Sequence, residues 1–86
     1  MTVTAQVSVY PLGQDDLQPA IEAVWAAFRT AKLQYRTGAM STLVEGEADV
    51  LFAALARAFQ AAAQRGATVM VATVSNACPP MTPLEG

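Results

Sequence analysis

The chain has no histidine, a single cysteine and only 14% charged residues in 86 positions. Without histidine, His-based catalytic triads and His-liganded metal sites are excluded outright. One cysteine, Cys78, cannot close an intrachain disulfide. A disulfide-dependent secreted domain is therefore excluded, and the reducing cytoplasm is the compartment that fits. The five Lys and Arg are scattered, and the net charge is −2. They form no basic face from which nucleic acid would release counterions. No apolar run reaches the ~18 residues needed to cross a bilayer. The start, Met1 to Ala5, lacks the basic-then-apolar order of a signal peptide.

What is present is apolar and small. Hydrophobic residues make up 53% of the chain, much of it alanine. A chain this short builds one domain with a thin core, and further burial by self-association is expected. Val3, Ala5, Val7 and Val9 alternate with Thr4, Gln6, Ser8 and Tyr10, the period of a half-buried strand. Pro11-Leu12-Gly13 ends it. Asp15 or Asp16 caps a helix expected over about 16 to 31, with Pro19 in its first turn. Ile21, Val24, Trp25 and Phe28 fall on one stripe of that helix. A second strand covers 33 to 37. Gly38 breaks it, and a third runs from Ser41 to Glu45. Glu47 and Asp49 begin a second helix, where the helix dipole favours negative charge. Leu51, Leu55, Ala58, Phe59 and Ala62 make its expected buried stripe, with Phe52 beside it. Gly66 stops the helix. Residues 67 to 75 form the fourth strand, expected to be buried on both faces.

The order β-α-β-β-α-β predicts an α+β, ferredoxin-like fold: a four-stranded antiparallel sheet with both helices on one face. Residues 1–78 are the domain, and 79–86 a Pro-rich C-terminal tail. The sheet's other face is left open. With Met70, Val74, Tyr10 and Met40 as candidates for that face, it is expected to pack on a second copy of the chain.

The polar residues suggest a ligand. Gln6, Ser8 and Tyr10 lie on the first strand, Ser41, Thr42 and Glu45 on the third, and Thr73, Ser75 and Asn76 at the fourth. The topology makes these strands neighbours. Donors and acceptors converging on an apolar floor are the usual form of a small-molecule site. The plainer reading of any single Ser or Thr is satisfaction by backbone. Glu45 and Glu47 flank Gly46. They are either an acid and base pair or complements to the helix dipole; of the two, Glu45 is the one to hold a ligand amine. Trp25 reads as core by its place on the stripe. Cys78 has no base nearby in sequence and reads as inert. Met40, Met70 and Met81 read as adaptable filler. Single glycines at turns make no phosphate-cradling loop.

The segments Val9-Tyr10-Pro11-Leu12-Gly13, Thr42-Leu43-Val44-Glu45-Gly46-Glu47 and Val74-Ser75-Asn76-Ala77-Cys78-Pro79 resemble the YkoF-type thiamine/hydroxymethylpyrimidine-binding family. The resemblance covers nearly the whole chain at matching places in the element order. It implies a ferredoxin-like fold that binds thiamine or its pyrimidine precursor without turnover, in vitamin B1 uptake or salvage. By it, Tyr10, Ser41, Thr42, Glu45, Ser75 and Asn76 are the expected ligand-binding residues, with no catalytic residue, metal or further cofactor. The family carries two such domains in tandem and this chain carries one. A homodimer, or a dimer of dimers, through the open sheet face would replace the covalent pair. The competing expectation is an oligomerising structural or regulatory module without a ligand.

Overall fold

The computed structural model describes residues 1–79. The elements are β1 (Thr2–Pro11), α1 (Gln18–Thr30), β2 (Gln34–Thr37), β3 (Thr42–Glu47), α2 (Ala48–Ala63) and β4 (Thr68–Ser75). The sheet order is β2-β3-β1-β4, and every neighbouring pair is antiparallel. This is the ferredoxin-like arrangement the sequence predicts. Residues 80–86, most of the expected Pro-rich tail, lie outside the described residues.

β1 is the central strand. Its odd-numbered side chains, Val3, Ala5 and Val7, are buried against the helices, and Val44 of β3 joins them. α1 contributes Ala20, Val24 and Phe28; α2 contributes Leu51, Ala54, Leu55, Ala58 and Ala62. Alanine is the best helix former and loses no side-chain entropy on burial. An Ala-rich α2 is therefore both stable and slim enough to lie close to α1. The Tyr35 ring from β2 tilts at 53° to Phe28, with centroids 6.1 Å apart. Its hydroxyl accepts from Arg29 at 3.1 Å.

Several expectations are corrected. α1 starts at Gln18, two residues later than expected, with Leu17 rather than Asp15 or Asp16 at its N-cap; the exposed Asp16 carboxylate accepts from the Gln18 N–H at 3.1 Å. β3 continues through Glu47 and does not stop at Glu45; Thr2 and Val3 of β1 supply partners for Glu47 and Gly46. Phe59 is 40% exposed and Phe52 is also on the surface, so the buried stripe of α2 runs through Ala54 instead. β4 is an edge strand, and even on its helix-facing side Met70 and Val74 are only half-buried while Ala72 is exposed. Val69 and Val71 are 45% and 53% exposed. Met70 and Val74 pair across from Val9 and Ala5, so they pack toward the helices rather than on the open face. Met40 lies in the β2–β3 turn, outside any strand. The open face carries Tyr10, Val69 and Val71 with Thr4, Gln6, Thr73 and Ser75 around them.

Two tests follow from the packing. A Cβ on Gly46 would collide with the Leu33 side chain, which is itself buried. Gly46→Ala should therefore cost about 1–3 kcal/mol in urea unfolding, the usual penalty of overpacking. At the end of the same strand, the exposed Glu47 carboxylate accepts from the N-terminal ammonium at 3.0 Å and from the Thr2 hydroxyl at 2.9 Å. The ammonium hydrogen bond first, then Thr2, then the ammonium charge, hold its pKa below the ordinary carboxylate value. A depressed carboxylate stabilises the fold above its unfolded pKa, and that contribution is lost as pH falls through the folded value. Glu47→Gln should thus lower Tm slightly at neutral pH and leave it unchanged in strong acid.

Candidate ligand-binding site

The ladder between β1 and β3 ends at Val7↔Thr42, whereas that between β1 and β4 continues to Pro11↔Thr68. Past Val7 no strand flanks β1 on this side, and the β2–β3 turn, Gly38 to Ser41, borders the gap. Gly38 N–H donates to the Ser41 carbonyl at 2.8 Å and closes that turn. A Cβ on Gly38 would stand 3.0 Å from the same carbonyl oxygen, tighter than an ordinary contact, so the close turn favours glycine. The first half of α1 passes over the gap. Between helix, turn and strand lies a cavity of about 430 Å³, within the size range of small-molecule sites.

Val7 and Val9 of β1, with Ile21 and Val24 of α1, give the cavity apolar walls, and Trp25 gives it an aromatic one; Tyr10, on the open face of β1, borders it. Gln18, Ser41 and Thr42 supply side-chain donors and acceptors. None of the lining residues is charged. The Trp25 Nε1–H donates to Thr42 Oγ1 at 3.1 Å, which fixes the indole at the cavity wall. Gln6 Nε2 donates to Ser41 Oγ at 3.3 Å, and Ser8 Oγ donates to the Met40 carbonyl at 3.4 Å. These bonds tie the turn to β1.

Of the residues expected to bind ligand, Tyr10, Ser41 and Thr42 are brought together at this cavity. Glu45 and Ser75 are not among its lining residues. They sit opposite Thr4, one on each side of β1, and Thr4 Oγ1 donates to Glu45 Oε2 at 3.3 Å. Asn76 follows on, and its Nδ2 donates to Met1 Sδ at 3.4 Å. Thr4 and Tyr10 are separated by about 20 Å of extended strand. The expected residues thus form two groups at opposite ends of the sheet. Trp25, read from its stripe as core, is half-buried and belongs to the cavity. Its need for a hydrogen-bond partner was the available signal: a Trp on an Ala-rich helix seldom buries its N–H without one. Gln18 gave no such signal.

The fold and cavity define a ferredoxin-like domain with an uncharged, aromatic-walled pocket at one end of its sheet. The chain belongs to the thiamine-binding protein family, whose sequence profile matches residues 5–75. Solved structures agree on the fold. Protein SP2199 from Streptococcus pneumoniae superposes with a TM-score of 0.80 at 25% identity, over 87% of this chain and 86% of that one. A domain of unknown function from Bacillus cereus, DUF77, does so at 0.77 and 28% identity, over 99% and 83%. A Thermotoga maritima protein with a proposed role in thiamine biosynthesis or salvage shares the fold at 0.76 and 21% identity, over 86% and 82%. No curated protein is significantly similar in sequence. Among the described residues, no helix is long and apolar enough to cross a membrane.

Thr42 is 8% exposed, and its hydroxyl is the partner of the Trp25 N–H. Thr42→Val keeps the shape and removes the acceptor. It should cost about 1–3 kcal/mol, the penalty of orphaning a shielded donor. Because Trp25 is the chain's one tryptophan, its fluorescence should shift in the same variant.

Proposed function

We propose that this protein binds thiamine or its hydroxymethylpyrimidine precursor in the cavity between α1 and the β2–β3 turn, and that it does so without turnover. The observation that carries this reading is the pairing of family membership with a pocket of an aromatic wall and neutral polar groups. An aminopyrimidine is flat, neutral and rich in donors and acceptors, which Ser41, Thr42 and Gln18 complement. The thiazolium of thiamine is a permanent cation. With no carboxylate in the lining, its favourable contact is the face of Trp25. Binding alone suits vitamin uptake or salvage in the cytoplasm.

Glu45, Ser75 and Asn76 enter this reading through a second copy of the chain. The exposed face with Val69 and Val71 favours a homodimer, or a dimer of dimers, packed sheet to sheet. In such a pair these residues would lie at the shared interface, where a ligand can be contacted from two chains. The alternative, a ligand-free oligomerising module, draws on the same exposed face.

Calorimetric titration separates the two. Thiamine or hydroxymethylpyrimidine should bind saturably and quench Trp25 fluorescence. A ligand at a hundredfold its Kd should raise stability by about 2.7 kcal/mol. Thiamine diphosphate should bind at least about tenfold more weakly than thiamine, because no Lys or Arg lines the cavity to meet its charge. Absence of heat and of any thermal shift with all these compounds would leave the oligomerising module as the function.

A further inference from the structure

β1 turns its peptide groups to alternate edges, and a hydrogen bond near each end fixes the phase. The Met1 carbonyl accepts from the Ala48 N–H at 2.9 Å, on the β3 side. The Leu12 N–H donates to the Ala67 carbonyl at 2.8 Å, on the β4 side. In an antiparallel ladder a residue directs its N–H and C=O to one edge, and its neighbour directs them to the other. Odd-numbered residues of β1 therefore address β3, and even-numbered ones β4. Val3, Ala5 and Val7 have Gly46, Val44 and Thr42 opposite.

Val9 addresses the same edge, but β3 has already ended. Continued register would set Met40 against it. Met40 is instead 87% exposed, and its carbonyl accepts from the Ser8 hydroxyl. Among the described residues, no backbone hydrogen bond runs from the turn to Val9. Val9 is half-buried and lines the cavity. The next residue to address that edge, Pro11, has no N–H to offer. A strand residue whose N–H and C=O face a cavity with no backbone partner leaves those groups for water or a ligand to meet, because they are costly to leave unbonded.

We propose that the Val9 N–H and C=O are the ligand-reading edge of this cavity. Their partner is a flat heterocycle carrying a ring acceptor beside an exocyclic N–H donor. The inference rests on the ligand reading above and deepens it by naming the ligand edge that is recognised. One extended residue presents N–H and C=O side by side in the plane of the sheet. In an aminopyrimidine the ring nitrogen accepts from that N–H, and the amine donates to that C=O. The ring takes the position that β3 gives up after Thr42. Lying in the sheet plane beneath α1, it turns one face to Trp25. Side chains then tune affinity, while the main chain selects the amino-substituted ring.

NMR of isotope-labelled protein reads the Val9 amide directly. In the free protein it should exchange with solvent faster than the amides of Val7 and Tyr10, each of which has a strand on the edge it addresses. On saturation with hydroxymethylpyrimidine its proton should move downfield and its exchange slow. A pyrimidine lacking the exocyclic amine should bind at least about tenfold more weakly. Saturable binding with the Val9 amide unmoved, or equal affinity for the deaminated ring, would overturn the assignment and leave the ligand reading standing. No binding of any pyrimidine or of thiamine would overturn both.

Discussion

β1 is held on both sides as far as Val7, where it meets Thr42, and on one side only from there to Pro11. That difference in ladder length creates the cavity. If β3 ran the full length of β1, the gap would be filled by strand and the sheet would have no opening beneath α1. Instead the chain turns at Gly38 to Ser41, and the space beside Val9 is bounded by turn, helix and strand. The bonds that hold the turn in place, from Gln6 to Ser41 and from Ser8 to Met40, come from the same strand whose edge they leave uncovered.

The core beneath is thin and built largely from small residues. Ala5, Ala20, Ala54, Ala58 and Ala62 are fully buried, and Phe28 is the largest side chain wholly inside. Such a core leaves little surplus, since backbone ordering offsets most of what burial contributes. Trp25 stands at the boundary of this core and the cavity. Its indole is anchored to Thr42, so the cavity wall and the packing share one hydrogen bond. A change at Trp25 or Thr42 therefore alters the cavity wall and the packing together.

Much of the fold was legible because its elements announce themselves by period. The alternation of Val3, Ala5, Val7 and Val9 and the stripe of Val24 and Phe28 needed no tertiary information. Edges and ends were less legible. The apolar residues of β4 read as doubly buried, yet strand burial depends on what lies beyond the sheet edge, which sequence does not state. Phe59 read as core by its spacing, while the narrow space over the sheet took Ala54 in its place. Ser41 and Thr42, marked in the sequence by hydroxyls inside an apolar run, line the cavity. The Glu45, Ser75 and Asn76 group lies at the opposite end of the sheet from them, because neighbouring strands bring residues together only in register. The Val9 edge is a property of where a ladder stops, so no side-chain pattern marks it.

The most direct test of the account is a structure of the protein saturated with hydroxymethylpyrimidine. The ring should lie in the cavity, beside the β1 backbone past Val7 and against Trp25. A ring bound on the open sheet face beside Glu45, Ser75 and Asn76, with the cavity unchanged, would contradict it.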